Sequence, residues 1–363
     1  MAGELLELIH GIASSSGYPE PAAFSDLVDN AIEVLSTEDE KTRPRSVSGI
    51  PGGLVRIDAP FVAIVPDLHG RVEFLDDLLN SPSPISSEAK LLELVEDHEL
   101  VILCLGDILN TEGPEGANRW RRAARRLSAG RDVAALLGAE MDEEMGASLR
   151  SLQLVMTLKT RMPRGFHNLK GNHDNIGNLN ADGDSAFYKY AMEGAMGAEW
   201  FRLRYGEALM GNVRRYERLL PLVAAGESFV ASHAEPAFAL SLEDLVEYRG
   251  RPDVVRSLIW TENGEAVEGS VIKTMRALLG RDSDENPAWL TGHRPVAGTF
   301  STRAHGTLIQ FHNPARRQVA WIDNRKNTGS TTISFYELGS EGKKLELLET
   351  LTPIHLDLNG PGY

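Results

Sequence analysis

Two short apolar runs, residues 61–65 and 101–105, have no polar interruption. Each is about five residues long and largely aliphatic, which predicts strands buried on both faces. Between them, residues 72–79 and 88–95 carry apolar positions at helical spacing. A strand, helices and a second strand predict an α/β unit with a parallel pair. Upstream, Leu5, Leu6, Ile9 and Ile12, then Phe24, Leu27, Val28, Ile32 and Leu35, follow the helical period around a turn rich in Gly, Ser and Pro. Residues 36–53 are charged and rich in Ser, Pro and Gly, as in a linker. The expected division is a helical N-terminal extension and linker over residues 1–57, then a main domain over residues 58–363. Residues 114–160 read as mostly helical, Arg-rich first and acidic later, and a second helical region runs from Asn178 to about Arg218. Strand patterns return at residues 228–232, 289–291, 308–311, 319–322, 333–336 and 345–351. No internal repeat or low-complexity segment interrupts this order.

Charge and cysteine content narrow the classes. The 363 residues carry a formal net charge of −15, which argues against general nucleic-acid binding. The single cysteine, Cys104, excludes an intramolecular disulfide and a cysteine-rich zinc site. It lies in an apolar run and is expected to be inert. No apolar stretch approaches the ~20 residues that span a bilayer. The opening Met-Ala-Gly-Glu has no basic segment before an apolar core. A cytoplasmic protein without membrane contact is expected.

Four segments carry candidate chemistry, each just after a predicted strand, where α/β folds place ligands. They are Pro66-Asp67-Leu68-His69-Gly70, Gly106-Asp107, Gly171-Asn172-His173-Asp174, and the pair Ser232-His233-Ala234 with Gly292-His293-Arg294-Pro295. Asp67 and His69 stand two apart and can chelate one cation. Asp107 offers two oxygens and can bridge two cations. Asn172, His233 and His293 add an amide oxygen and two imidazoles. Mixed oxygen and nitrogen donors suit Mn, Fe or Zn better than Ca or Mg. Two such ions can clamp a phosphoryl group and acidify a bridging water. Isolated Asp-x-His or Gly-Asp pairs carry little information. Gly-Asn-His-Asp arises by chance in roughly two chains per thousand of this length.

On these motifs the chain resembles the calcineurin-like metallophosphoesterases, and within them the PPP-type serine/threonine protein phosphatases with bacterial-type motifs. The resemblance covers residues 58–340 and includes Trp321-Ile322-Asp323 as a closing strand. It implies an α/β fold: a two-sheet β-sandwich flanked by helices, here with a helical N-terminal extension and a helical insertion at about 111–160. It implies two divalent metal ions, with Mn the expected ion in vitro. Asp67 and His69 would hold the first, Asp107 would bridge, and Asn172, His233 and His293 would hold the second. His173 would protonate the leaving alkoxide after attack by metal-bridged hydroxide. Asn110 and Asp174 fall at the positions of further catalytic residues.

The departures from the pattern matter. Pro66 replaces a glycine that is not a ligand. Asn110 replaces an Asp that orients the general acid, and Glu112 is a candidate substitute. Thr111 replaces a phosphate-binding Arg, Asp174 replaces a Glu, and Ala234-Glu235 replaces Gly-Gly. The missing Arg leaves Arg71 and Arg294 as substrate-binding candidates. A second source is the insertion, with Arg119, Arg121, Arg122, Arg125, Arg126 and Arg131. Arg119, Arg122 and Arg126 share a helical face, and Arg122 and Arg126 are expected to reach phosphate from a lid. The alternative is a solvated face, or one ion-paired with residues 140–144. His10, His98, His167 and His355 read as structural, whereas His305 and His312 follow the last motif and are candidates to approach the cleft. Trp260-Thr261-Glu262 reads as packing. The expected function is a dinuclear metal-dependent phosphatase acting on a phosphoprotein or small phosphoester. The alternatives are a metal-binding scaffold with little turnover, or a hydrolase of small molecules or dinucleoside polyphosphates. A phosphodiesterase is disfavoured by charge and by the Gly-His-Arg-Pro form. Oligomeric state is not encoded in these motifs.

Overall fold

The apolar strands distribute their side chains to two separate cores. A computed structural model of the protein describes residues 2–130, 132–178, 180–280, 287–325, 331–339 and 344–353. Arg131 and His355 lie outside them. The order is α1 (Ala2–Ser14), α2 (Pro21–Ser36), β1 (Leu54–Arg56), β2 (Phe61–Val65), α3 (Val72–Asn80), α4 (Leu91–Glu96) and β3 (Leu100–Cys104). Then come α5 (Gly113–Gly130), a 3₁₀ turn at Val133–Leu136, α6 (Ala139–Arg161), β4 (Phe166–Asn168), α7 (Glu193–Glu217), β5 (Val223–Ala225), β6 (Phe229–Ser232), α8 (Leu242–Val246), α9 (Pro252–Ile259) and α10 (Ser270–Leu279). The chain continues through β7 (Ala288–Thr291), β8 (Ser301–Arg303), β9 (Leu308–Gln310), β10 (Gln318–Asp323), β11 (Ile333–Leu338) and β12 (Leu345–Leu351).

Two six-stranded sheets result, one ordered β1-β5-β6-β7-β9-β8 and the other β12-β11-β10-β2-β3-β4. Strand periodicity sends Val62, Ile64, Val101 and Leu103 inward against Phe229, Ala231, Leu290 and Ile309 of the facing sheet. The alternate residues Phe61, Ala63, Val65, Ile102 and Cys104 point outward into a helical layer built from α1 to α7. On the far side Val230, Trp289 and Leu308 meet α8, α9 and α10. Burial on both faces explains the unbroken apolar runs. The architecture is therefore the helix-flanked two-sheet sandwich expected.

The N-terminal helices are part of the main core. Ile9 of α1 and Phe24, Val28 and Ile32 of α2 are buried in the same cluster as β2 and β3. Pro21 opens α2, and the Glu20 carboxylate accepts from the Ala22 and Ala23 amides. The segment read as linker is also tied down. Its end becomes β1, paired in parallel with β5, and Arg43, fully buried, donates to Glu38, Gly52 O and Leu219 O. The short strands β1, β4, β5 and β8 and the helices α8 to α10 had no periodic pattern long enough to announce them.

Within each sheet one parallel triplet matters most: β2, β3 and β4 in one, β6, β7 and β9 in the other. The loops leaving their C-terminal ends converge on one place.

Candidate metal centre

Six strand ends supply the site. Asp67 and His69 follow β2; Asp107, Asn110 and Glu112 follow β3; Asn172, His173 and Asp174 follow β4. From the facing sheet, His233 follows β6, His293 follows β7 and His312 follows β9. The turns are tight, and His69, Asp107, Asn110 and His293 all have left-handed backbone conformations, with φ of 46°, 49°, 64° and 60°. Such conformations each cost about 1–3 kcal/mol and persist where the surroundings over-determine them. Glycine is required where loops touch. A Cβ on Gly171 would lie 2.2 Å from Asp107 Oδ1, and one on Gly292 would lie 1.9 Å from Asp67 Oδ1.

The candidate ligand atoms face one another. Asp107 Oδ2 lies 3.6 Å from His69 Nε2, 3.4 Å from His233 Nε2 and 3.9 Å from His173 Nε2. Asn172 Oδ1 is 3.0 Å from both His233 Nε2 and His293 Nδ1. His69 Nδ1 donates to Asn110 O at 2.8 Å, and His233 Nδ1 to Leu105 O at 3.1 Å. Those carbonyls fix the ring proton on Nδ1 and leave each Nε2 with a lone pair. Burial holds the His233 imidazole well below its ordinary pKa, reinforced by the neighbouring His293. Its Nε2 faces Asn172 Oδ1, Asp107 Oδ2 and His293 Nδ1. Burial also pushes the Asp107 carboxyl well up, with the Asp67 carboxylate adding to the effect. Three groups of this kind, Asp67 with His69 and His312, His69 with Asp107 and His173, and Asp107 with His233 and His293, have donor atoms all within 4.8 Å of one another. Buried acceptors that oppose acceptors are costly unless a cation lies between them. The donor set therefore fits divalent metal ions of the Mn, Fe or Zn type.

Several residues act by positioning. The Asp174 carboxylate accepts from the amides of Asp107, Ile108 and Gly171 at 2.8–2.9 Å, pinning the β3 and β4 loops together. Burial raises its pKa to about 6 despite these bonds. Asp107 Oδ1 accepts from the His173 amide at 2.8 Å, and Asp67 from the His293 amide at 2.9 Å. Asn110 contributes its carbonyl to His69. Among the described residues no hydrogen bond joins its side chain to His173, whose buried Nδ1 has no partner. The His173 ring instead packs against Phe187 with centroids 4.1 Å apart.

The candidate cations are placed as follows. Arg71 donates from Nε to Leu68 O, from Nη2 to Asp67 O and from Nη1 to Arg316 O, which clamps the β2 loop. Arg122 and Arg126 lie 3.8 Å from the Glu140 carboxylate, the ion-paired alternative. Arg119 bonds Glu144, Glu143 and Thr111. Arg294 pairs with Glu262 at the rim. Lys189, not singled out in the sequence, lies 4.0 Å from Glu112 and is half exposed.

Glu112 and His312 are the acidic and basic residues that motif reading placed least well. His312 Nε2 is 2.9 Å from Glu112 Oε2 and 3.9 Å from Asp67 Oδ2, and Glu112 Oε1 is 3.4 Å from His69 Nε2. His312 stands two residues after β9, as Asp67 does after β2 and His293 after β7, and that spacing was its signal. His305 sits before β9, at the opposite end of the strand.

No family model matches the chain, and no curated protein matches it. Among solved structures, the chain is similar to a serine/threonine phosphatase from Saccharomyces cerevisiae described as similar to human phosphatase PP5. That match has a TM-score of 0.49 and 14% identity over 94% of this chain and 92% of the other. It is also similar to a cold-active protein-tyrosine phosphatase of a psychrophilic Shewanella species, with a TM-score of 0.46 and 12% identity over 86% and 85%.

Proposed function

We propose that the protein is a metal-dependent phosphatase that hydrolyses phosphomonoesters at a pair of divalent ions. The observation that carries this reading is the convergence of donor atoms: His233 Nε2 lies 3.0 Å from Asn172 Oδ1 and 3.4 Å from Asp107 Oδ2, beside two further buried His/Asp clusters. Asp67, His69 and Asp107 would hold one ion, and Asp107, Asn172, His233 and His293 the other. When bound, such ions supply Lewis acidity to phosphoryl oxygens and lower the pKa of water.

The chain's own residues do the rest. His173 stands beside the shared carboxylate with Nε2 3.9 Å from Asp107 Oδ2, and it supplies the proton taken by the leaving oxygen. Phe187 fixes its ring and Asp174 fixes its loop. In place of the family's arginine, Lys189 and Arg294 provide positive charge at the rim, where a phosphate would enter. The substrate is a phosphoprotein or a small phosphoester. The Nδ1 of His173, without a partner among the described residues, favours a second reading, a metal-binding scaffold with little turnover, because no hydrogen-bonded carboxylate orients the ring.

The test is hydrolysis of para-nitrophenyl phosphate and a phosphoserine peptide with added Mn²⁺, wild type beside Asp107→Asn and Lys189→Ala. Metal-dependent turnover lost in Asp107→Asn, with a several-fold higher KM and little change in kcat for Lys189→Ala, is expected. Two bound ions with no turnover of either substrate would establish the scaffold instead.

A further inference from the structure

We propose that Glu112 and His312 are ligands of the first metal ion, so that protein groups nearly close that site and substrate meets the second ion. This rests on the two-ion reading above. It assigns roles to two residues that the sequence motifs leave out.

The donor spacings are close to those between ligands of one ion. Around an ion with bonds of about 2.1 Å, neighbouring ligand atoms lie about 3.0 Å apart in an octahedron and about 3.4 Å apart in a tetrahedron. Starting from His312 Nε2, the distances are 2.9 Å to Glu112 Oε2 and 3.9 Å to Asp67 Oδ2. From His69 Nε2 they are 3.4 Å to Glu112 Oε1 and 3.6 Å to Asp107 Oδ2. The donor atoms of Asp67, His69 and His312 all lie within 4.8 Å of one another, and Glu112 bonds His312 at their edge. His312 is fully buried, and its Nδ1 has no partner among the described residues.

Charge leads to the same place. Asp67, Asp107 and Glu112 bring three carboxylates into one largely buried cluster. The cation nearest Glu112 outside the cluster, Lys189, is 4.0 Å away and half exposed. A carboxylate so enclosed needs a close cation, and the first ion provides one. The two positions then differ. Asp67, His69, Asp107, Glu112 and His312 give the first ion five protein donors. Asp107, Asn172, His233 and His293 give the second ion four, leaving it more room for water and phosphate.

The full chain, stripped of metal, should be titrated with Mn²⁺ and the free ion followed by its EPR signal, for wild type, Glu112→Gln and His312→Gln. Wild type is expected to bind two ions with unequal affinity. Each variant should weaken the tighter ion at least tenfold while the weaker one is unchanged. Circular dichroism of the stripped proteins checks folding. Should His312→Gln fail to fold, the near-isosteric Glu112→Gln decides alone. Two ions bound by every variant with constants within threefold of wild type would overturn the proposal and leave the two-ion reading intact. A weakened His312→Gln beside an unchanged Glu112→Gln would overturn the glutamate's part, since an orienting hydrogen bond survives that change. A wild type that binds no ion would overturn both.

Discussion

His233 has one ring proton, committed to Leu105 O, and a second nitrogen that faces an amide oxygen, a carboxylate and another imidazole. That convergence is the residue-scale signature of the candidate centre. The Gly-Asn-His-Asp and Gly-His-Arg-Pro strings made it legible, because each places a donor directly after a strand. His312 and Glu112 were far less legible, since a lone histidine and a lone glutamate have no string to belong to. For Arg122 and Arg126, helical spacing gave their common face, and the Glu140 carboxylate of α6 lies 3.8 Å from each. The residue with the sharpest expected kinetic signature is His173. Replacing it with Asn should lower kcat about 10²–10³-fold for an alkyl phosphate, a typical general-acid effect. The loss should shrink for para-nitrophenyl phosphate, whose leaving group needs no proton, and metal content by elemental analysis should not change.

At the scale of elements, the insertion formed by α5 and α6 works as a brace. Glu144, fully buried on α6, accepts from the Thr111 amide at 2.7 Å, the Thr111 hydroxyl at 2.5 Å and Arg119 Nε at 2.9 Å. One turn along, Ser148 Oγ accepts from the Asn110 amide at 2.9 Å. The helix thus fixes the loop that carries both the His69 acceptor and Glu112. Glu144→Ala leaves Arg119 and the Thr111 amide short of partners in a part-buried place. It should cost about 2–4 kcal/mol in urea unfolding, and metal affinity should fall with it. The sequence announced these helices clearly through their period. It could not announce which face braces a loop, because that depends on a pairing across 33 residues.

For the whole molecule, acid sensitivity follows from a second buried charge cluster. Glu38 accepts from Lys159 Nζ at 2.7 Å and Arg43 Nη1 at 2.8 Å, and His167 Nδ1 accepts from Lys159 at 3.2 Å. Burial, with the Lys159 charge beside it, pushes His167 down to about 3. For Glu38, burial alone would raise the pKa, but Lys159 and Arg43 outweigh it and hold the carboxyl low. Between about 6.5 and 3 the unfolded chain binds a proton at His167 that the folded chain refuses, so stability falls as pH drops through that window. Glu38 adds to the loss once pH passes below the ordinary glutamate range. The thermal midpoint should therefore decline from pH 7 to pH 5, and His167→Gln should flatten that slope. Glu38→Gln should cost about 3–5 kcal/mol at pH 7, because it strands two buried cations. The N-terminal segment holds half of this cluster, so its integration was hidden from a reading that saw only a polar linker. No helix among the described residues is long and apolar enough to cross a membrane.

The proposed ligands are shared between the sheets, with Asp67, His69, Asp107, Glu112 and Asn172 from one and His233, His293 and His312 from the other. Bound ions would act as a rivet at one end of the sandwich. Removing them should let that end breathe like an unclasped book while the spine stays shut. Amide hydrogen exchange after chelation should therefore quicken in the loops after β2, β3, β6, β7 and β9. Exchange at Phe229 and Ala288, at the N-terminal ends of their strands, should stay slow.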